Sequence, residues 1–225
     1  MSPRVALGQC INQGPPGHQG FDAFAAHPPQ GLFSLADGAN SCLLSGEAAR
    51  WLVEQMSLPG VPREASSLAR HVEALHQQML ARFAESATTL LHVQLSPDGA
   101  RLASVGDSML HVLERRWWGA WRLACSMPRD VDAQGHPSQL LGSEVLKEVH
   151  LRELGARGPL LLVMMSDGPG HVLGPAQLAS SLSCLGRQMP SNADLDYLCQ
   201  TLVSQALAQG CTDDASVALI WVDWP

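Results

Sequence analysis

Aspartate closes an apolar run at three places in this sequence: FSLAD ends at Asp37, ASVGD at Asp107 and LVMMSD at Asp167. Asp213 stands just ahead of another such run, ASVALIWV, and Asp22 lies between Phe21 and Ala23. Carboxylates gathered at strand ends repel one another and rise in pKa unless a cation supplies the compensating charge. Oxygen donors alone select hard ions with octahedral preference, so magnesium or manganese is the expected occupant.

Turn chemistry competes with that reading, because Asp-Gly is a favoured hairpin turn. The chain holds its own control: in QLSPDGARLASV, Asp98-Gly99 lies between two strand-like runs and reads as a plain turn. Asp37-Gly38 and Asp167-Gly168 differ in that an apolar run leads into each and no matching run follows directly. Taken singly, each fits a turn as well as a site; the ordered set carries the argument.

The elements that must position these groups follow from periodicity. Val5 to Ile11 reads as a strand, Asn12 to Gly20 as a loop, and FDAFAA with GLFSLAD as two paired strands. GEAARWLVEQM places Ala49, Leu52, Val53 and Met56 on one helical face, and Pro62 to Ala84 repeats apolar residues at helical spacing. Thr88 to Leu95, RLASVGDS, MLHVLERR and WWGAWRLAC read as a meander of short strands. Ser126 to Glu144 is polar and irregular, the expected mobile loop. VLKEVHLREL and PLLLVMMSD read as strands, Pro175 to Arg187 and Ala193 to Ala208 as helices, and ASVALIWVD as the last strand. Consecutive antiparallel strands with helices in two blocks predict an α+β fold, an antiparallel β-sandwich flanked by helices on both sides in four layers (αββα). No linker or repeat divides the chain, so residues 1–225 are expected to form one domain with a flap-like loop at about 126–144.

GLFSLADGANS, ATTLLHVQL with LASVGDSMLHVL, LLLVMMSDG and GCTDDASVALIWV, in that order and spacing, resemble the metal-dependent protein serine/threonine phosphatases of type 2C, in a divergent bacterial-like form. The resemblance implies the same four-layer fold and hydrolysis of phosphoserine and phosphothreonine in proteins, with a bridging water on a dinuclear Mn2+ or Mg2+ centre as nucleophile. It implies that Asp37 bridges two metals, that the Gly38 carbonyl binds one, and that Asp167 and Asp213 bind the other. Asp22 would lie in the outer shell on metal-bound water, and Asp107 with Asp167 would hold a third ion. It further implies a phosphoprotein substrate, an opposing serine/threonine kinase and a role in signalling, with the protein expected as a monomer. No thiol mechanism competes, since six positions after Cys42 lies Ala48 rather than the arginine of a Cys-x5-Arg loop.

Departures from the family pattern concern phosphate binding more than the bridging carboxylates. Gly17 occupies the place of the usual phosphate-binding arginine, with His18 as its neighbour; Asn40 and Ser41 replace glycines, and His171 replaces a downstream aspartate. His18 and Arg129 are therefore the candidate substrate-binding cations. The alternative is a weakened or inactive pseudophosphatase that binds phosphoproteins as a regulatory module; a domain with empty aspartate turns is the remaining class.

Composition agrees with a packed, metal-using protein. Hydrophobic residues make up 46% and charged residues 16%, with a net charge of -7 and no basic stripe, which argues against nucleic acid and anionic membranes as partners. The six cysteines lack C-x-x-C spacing and MSPRVALGQC lacks the features of a secretory leader, so reduced thiols and a cytoplasmic setting are expected. No apolar run approaches the ~20 residues of a membrane-spanning helix. Trp117, Trp118 and Trp121 are read as core cover, and His71, His76, His92, His111 and His150 form no ligand spacing.

Overall fold

The alternation of inward and outward side chains along the strands builds two antiparallel five-stranded sheets. A computed structural model describes residues 2–13, 20–39, 44–115, 119–186 and 188–224. Its elements in chain order are β1 (Arg4–Asn12), β2 (Asp22–His27), β3 (Leu32–Asp37), α1 (Ser45–Gln55), α2 (Ala65–Arg82), β4 (Leu90–Ser96), β5 (Gly99–Val105), β6 (Met109–Arg115), β7 (Trp121–Ser126), β8 (His150–Gly155), β9 (Leu160–Met165), α3 (Asp167–Val172), α4 (Pro175–Ser181), α5 (Asn192–Ala208) and β10 (Ala215–Asp223). One sheet has the order β1-β10-β9-β6-β7, the other β2-β3-β4-β5-β8.

The greasy β9 is the central strand of its sheet and is buried on both faces. Leu160, Leu162 and Met164 join Ala218, Ile220 and Val222 of β10 in the core between the sheets, against Phe33, Leu35, Leu91 and Val93. The intervening Leu161, Val163 and Met165 face outward with Val217, Leu219 and Trp221, where Leu178 of α4 and Leu195, Leu202 and Val203 of α5 cover them. Trp121 meets Trp221 edge to face, with centroids 5.2 Å apart, as the core reading of that tryptophan requires. On the far side, Leu52, Val53, Leu68, Val72, Leu75 and Met79 from α1 and α2 pack on Leu90, Ala103 and Val105. Two helix layers thus enclose two sheets, as the strand and helix pattern predicts.

Boundaries differ where local patterns are ambiguous. The apolar VLKEV stretch is not strand: β8 begins only at His150, and Leu146 and Val149 pack on the helix-covered core from irregular backbone. The helix predicted over Pro175 to Arg187 stops at Ser181 and tightens into a single 3-10 turn, Leu182–Cys184. Trp117 and Trp118 lie outside the described residues.

Candidate metal centre

Strand direction collects the carboxylates at one end of the sandwich. β3 delivers Asp37, the turn between β5 and β6 delivers Asp107, β9 runs into Asp167, and Asp213 precedes β10. Register fixes their neighbourhood, because Met109, Met165 and Val217 are aligned across β6, β9 and β10. Asp37, Gly38, Ala39, Thr89, Asp107, Pro137, Leu140, Asp167 and Asp213 line one cavity of about 280 Å³.

Local hydrogen bonds hold the Asp37 main chain still while leaving its carboxylate to the cavity. Thr89 Oγ1 accepts from the Asp37 N–H at 3.0 Å, and the Asp37 carbonyl accepts from the Thr88 hydroxyl and the Thr89 N–H, each at 2.9 Å. Gly38 is required by close packing: a Cβ there would fall 2.7 Å from the Ser45 carbonyl. Gly106, with φ of +93°, makes the turn that presents Asp107. Asp130 secures that turn, its carboxylate accepting from the Gly106 N–H at 2.8 Å and lying 2.7 Å from His150 Nε2.

Asp22 stands directly opposite Asp37 in the β2–β3 pair and is 3% exposed. The Ser166 and Ser216 hydroxyls ease its burial, yet neither of its oxygens makes a well-directed hydrogen bond. Burial pushes its carboxyl up to about 6. Burial also drives Asp37 upward, reinforced by Asp22 and Asp167, and raises Asp107, with Asp167 adding to the effect. Such a set is electrostatically incomplete: folding brings like charges together in a low dielectric, and a bound divalent cation would relieve them. The residues present therefore fit the metals that the sequence implies.

The structure brings Asp37, Gly38, Asp107, Asp167 and Asp213 to one cavity and sets Asp22 behind it. His18 lies outside the described residues. Arg129 reaches the edge of the cluster, donating from Nε to the Asp107 carbonyl at 3.0 Å, with Nη2 3.1 Å from His171 Nε2. Its loop is irregular as expected, but it is tied at its base by Asp130 to Gly106 and farther on by the Thr88–Leu141 bridge.

The sequence marks His171 only as standing in for a downstream aspartate; its place beside the carboxylates escaped that reading. His171 converges with Asp107 and Asp167, their donor atoms lying within 4.8 Å of one another. Asp167 opens α3, so His171 follows one turn later at i+4 on the same face. That spacing is visible in SDGPGH only if the segment is read as helix, which Gly168, Pro169 and Gly170 discourage; Pro169 is tolerated because it lies in the first turn, where its missing N–H has no partner to lose. The buried Asp214 is a second omission, accepting from the Phe21 N–H at 2.6 Å and tying the approach of β2 to the approach of β10.

Among the described residues no helix is long and apolar enough to cross a membrane. Compared by sequence with curated proteins, the chain has no significant match. Its fold is that of several solved bacterial phosphatases. The S. agalactiae serine/threonine phosphatase superposes with a TM-score of 0.77 at 19% identity, covering 96% of this chain and 99% of that one. The catalytic domain of the serine/threonine phosphatase PstP, solved with two manganese ions, gives 0.77 at 18% identity over 97% and 98%. PppA of Pseudomonas aeruginosa, a regulatory component of the type VI secretion system, gives 0.74 at 18% identity over 98% and 97%. The family model of protein phosphatase 2C matches residues 17–208, and with its carboxylate cluster and two-sheet fold the chain belongs to that family.

Proposed function

We propose that this protein hydrolyses phosphoserine and phosphothreonine in proteins, using Mn2+ or Mg2+ held by Asp37, the Gly38 carbonyl, Asp167 and Asp213. The observation that carries this reading is the convergence of those residues with Asp107 on one cavity. Two bound cations would lower the pKa of a water between them and neutralise phosphoryl oxygens during in-line attack. The chain's own part is to hold the carboxylates rigidly on strand ends, to keep Asp22 behind Asp37 as an outer partner, and to close one wall of the cavity with Pro137 and Leu140 of the flap. Free cysteines among the described residues accord with a reducing, cytoplasmic setting, and the substrate would be the product of an opposing serine/threonine kinase.

A phosphothreonine peptide incubated with the purified protein and Mn2+ should release phosphate, and Asp37→Ala should stop the release. Unchanged release by that variant overturns the proposal. A second reading, a phosphoprotein-binding pseudophosphatase, is favoured by Gly17 at the place of the usual arginine. It requires saturable phosphopeptide binding without turnover, so turnover of several peptides removes it.

A further inference from the structure

We propose that the Thr89 hydroxyl donates a hydrogen bond to a phosphoryl oxygen in the carboxylate cavity, which makes Thr89 a phosphate-binding residue. The inference rests on the proposed function in taking a phosphate group as the occupant of that cavity. Among the described residues that line it, Thr89 alone can donate from its side chain; the other polar linings are Asp37, Asp107, Asp167 and Asp213, which when ionised only accept.

The backbone of Asp37 fixes the side chain. The Thr89 N–H donates to the Asp37 carbonyl at 2.9 Å, and Thr89 Oγ1 accepts from the Asp37 N–H at 3.0 Å. Its methyl faces the turn between β5 and β6, where a Cβ on Gly106 would come within 2.8 Å of Thr89 Cγ2. Exchanging methyl and hydroxyl by rotation would break the bond to Asp37, so the β-branched side chain is held in one rotamer.

Counting hydrogens shows that a donor is left over. Thr89 Oγ1 lies 2.7 Å from Ser108 Oγ, so one of the two hydroxyl hydrogens sits between them. The second has no acceptor among the described residues. Thr89 is 2% exposed and Ser108 1%, and a buried hydroxyl whose hydrogen finds no acceptor is costly. Thr89 lines the cavity with Ser108 behind it, so an oxygen in the cavity selects the arrangement in which Ser108 donates to Thr89 and Thr89 donates to that oxygen. Both lone pairs of Oγ1 are then filled, by the Asp37 N–H and by Ser108, and donation from Ser108 strengthens the outgoing bond.

An anionic oxygen is the acceptor that such a donor suits, because a hydroxyl bonds more strongly to an ionised oxygen than to a neutral one. The carboxylates repel phosphate, whereas a neutral donor among them attracts it. A water held by the ions is the competing acceptor, and the two differ in what the loss of the hydroxyl weakens: phosphate binding in one case, ion binding alone in the other.

The test is a calorimetric titration of inorganic phosphate into the full chain saturated with Mn2+, with Mn2+ affinity measured separately, for the wild type, Thr89→Val, Thr89→Ser and Thr88→Val. Thr88→Val is the control: the Thr88 hydroxyl donates to the Asp37 carbonyl at 2.9 Å, so its loss loosens the same main chain without removing a donor from the cavity lining. Thr89→Val should bind phosphate about tenfold or more weakly than the wild type, while Thr89→Ser and Thr88→Val should stay within about threefold of it. Thr89→Ala is read in place of the valine variant if that one does not fold. Equal phosphate affinity in the wild type and Thr89→Val overturns the inference, as does an equal loss in Thr88→Val, a loss in Thr89→Ser as large as in Thr89→Val, or a change confined to Mn2+ affinity. A wild type that binds no phosphate overturns it too. Because binding is read rather than turnover, a protein that shows this pattern but hydrolyses no phosphothreonine peptide sinks only the phosphatase reading, and one that hydrolyses the peptide without the pattern sinks only this inference.

Discussion

The two ends of the sandwich use the same dipeptide for opposite ends. At one, Asp98-Gly99 closes the hairpin between β4 and β5: Asp98 is exposed, its N–H donates to Ser96 Oγ, and its carbonyl accepts from the Ala156 N–H. At the other, Asp37-Gly38 and Asp167-Gly168 leave the central part of each sheet and meet Asp107 and Asp213 across a cavity. Solvent screens the first aspartate, while the second set is held in a low dielectric where charge repels charge. Identical local chemistry becomes a turn or a site according to what the neighbouring strands bring alongside.

The widest contrast should come from deleting one carboxylate at each end. Asp37→Ala is expected to lower kcat for a phosphothreonine peptide by on the order of 10³-fold, the loss of several kcal/mol of charge stabilisation. Asp98→Ala should leave the rate unchanged, and a comparable loss there would break the distinction between the ends.

Glycine substitutions sharpen it by separating stability from metal binding. A Cβ on Gly99 would fall 1.9 Å from the Leu154 carbonyl oxygen, at a φ of +142°. Gly99→Ala should therefore cost about 3 kcal/mol or more in chemical denaturation while leaving the Mn2+ dissociation constant of the folded protein alone. On Gly106 a Cβ would meet Thr89 Cγ2 at 2.8 Å. Gly106→Ala should cost about 1–2 kcal/mol and also weaken metal binding, because it displaces the turn that presents Asp107.

Metal removal addresses the carboxylate end alone. Saturation to a hundred times the dissociation constant should raise unfolding free energy by about 2.7 kcal/mol per independent site, read as a higher Tm with Mn2+ than with chelator. Asp213→Asn should abolish much of that rise, and Asp98→Asn none of it.

Acidity gives a related signal. Burial raises the Asp22 carboxyl to about 6 from 3.8, so the folded metal-free protein holds this proton more tightly than the unfolded chain does. The resulting stabilisation is full below about pH 4 and is lost as pH rises through about 6, an effect of up to about 3 kcal/mol. Metal-free protein should thus lose stability between pH 4 and 7, with a shallower loss in Asp22→Asn. Smallest of all, Asp98→Ala should shift stability by no more than about 0.5 kcal/mol.

Much of this was legible in the chain. The uninterrupted LLLVMM reads as a strand buried on both faces, and β9 is the central strand of its sheet. Leu52, Val53, Leu68, Val72, Leu75 and Met79 fall on the helical faces that their spacing predicts. The convergence of His171 with Asp107 and Asp167 was not legible, because Gly and Pro mask the short helix that sets it one turn from Asp167. Nor was the irregular path of Val145 to Val149, from which Leu146 and Val149 pack on the core while Val145 stays exposed, on a non-repeating backbone that no period describes.

The sequence by itself determined the layers, the strand ends on which carboxylates ride and the kind of ion they suit, because alternation, helical spacing and donor type are local properties. Only the tertiary structure decided which aspartates meet, that Asp22 lies behind Asp37, and that Arg129 and Asp107 converge on His171. Those facts depend on strand register and on a turn whose partners lie far away in the chain. Pairing residues across such separations is settled by the packing of whole sheets, and no stretch of local sequence encodes it.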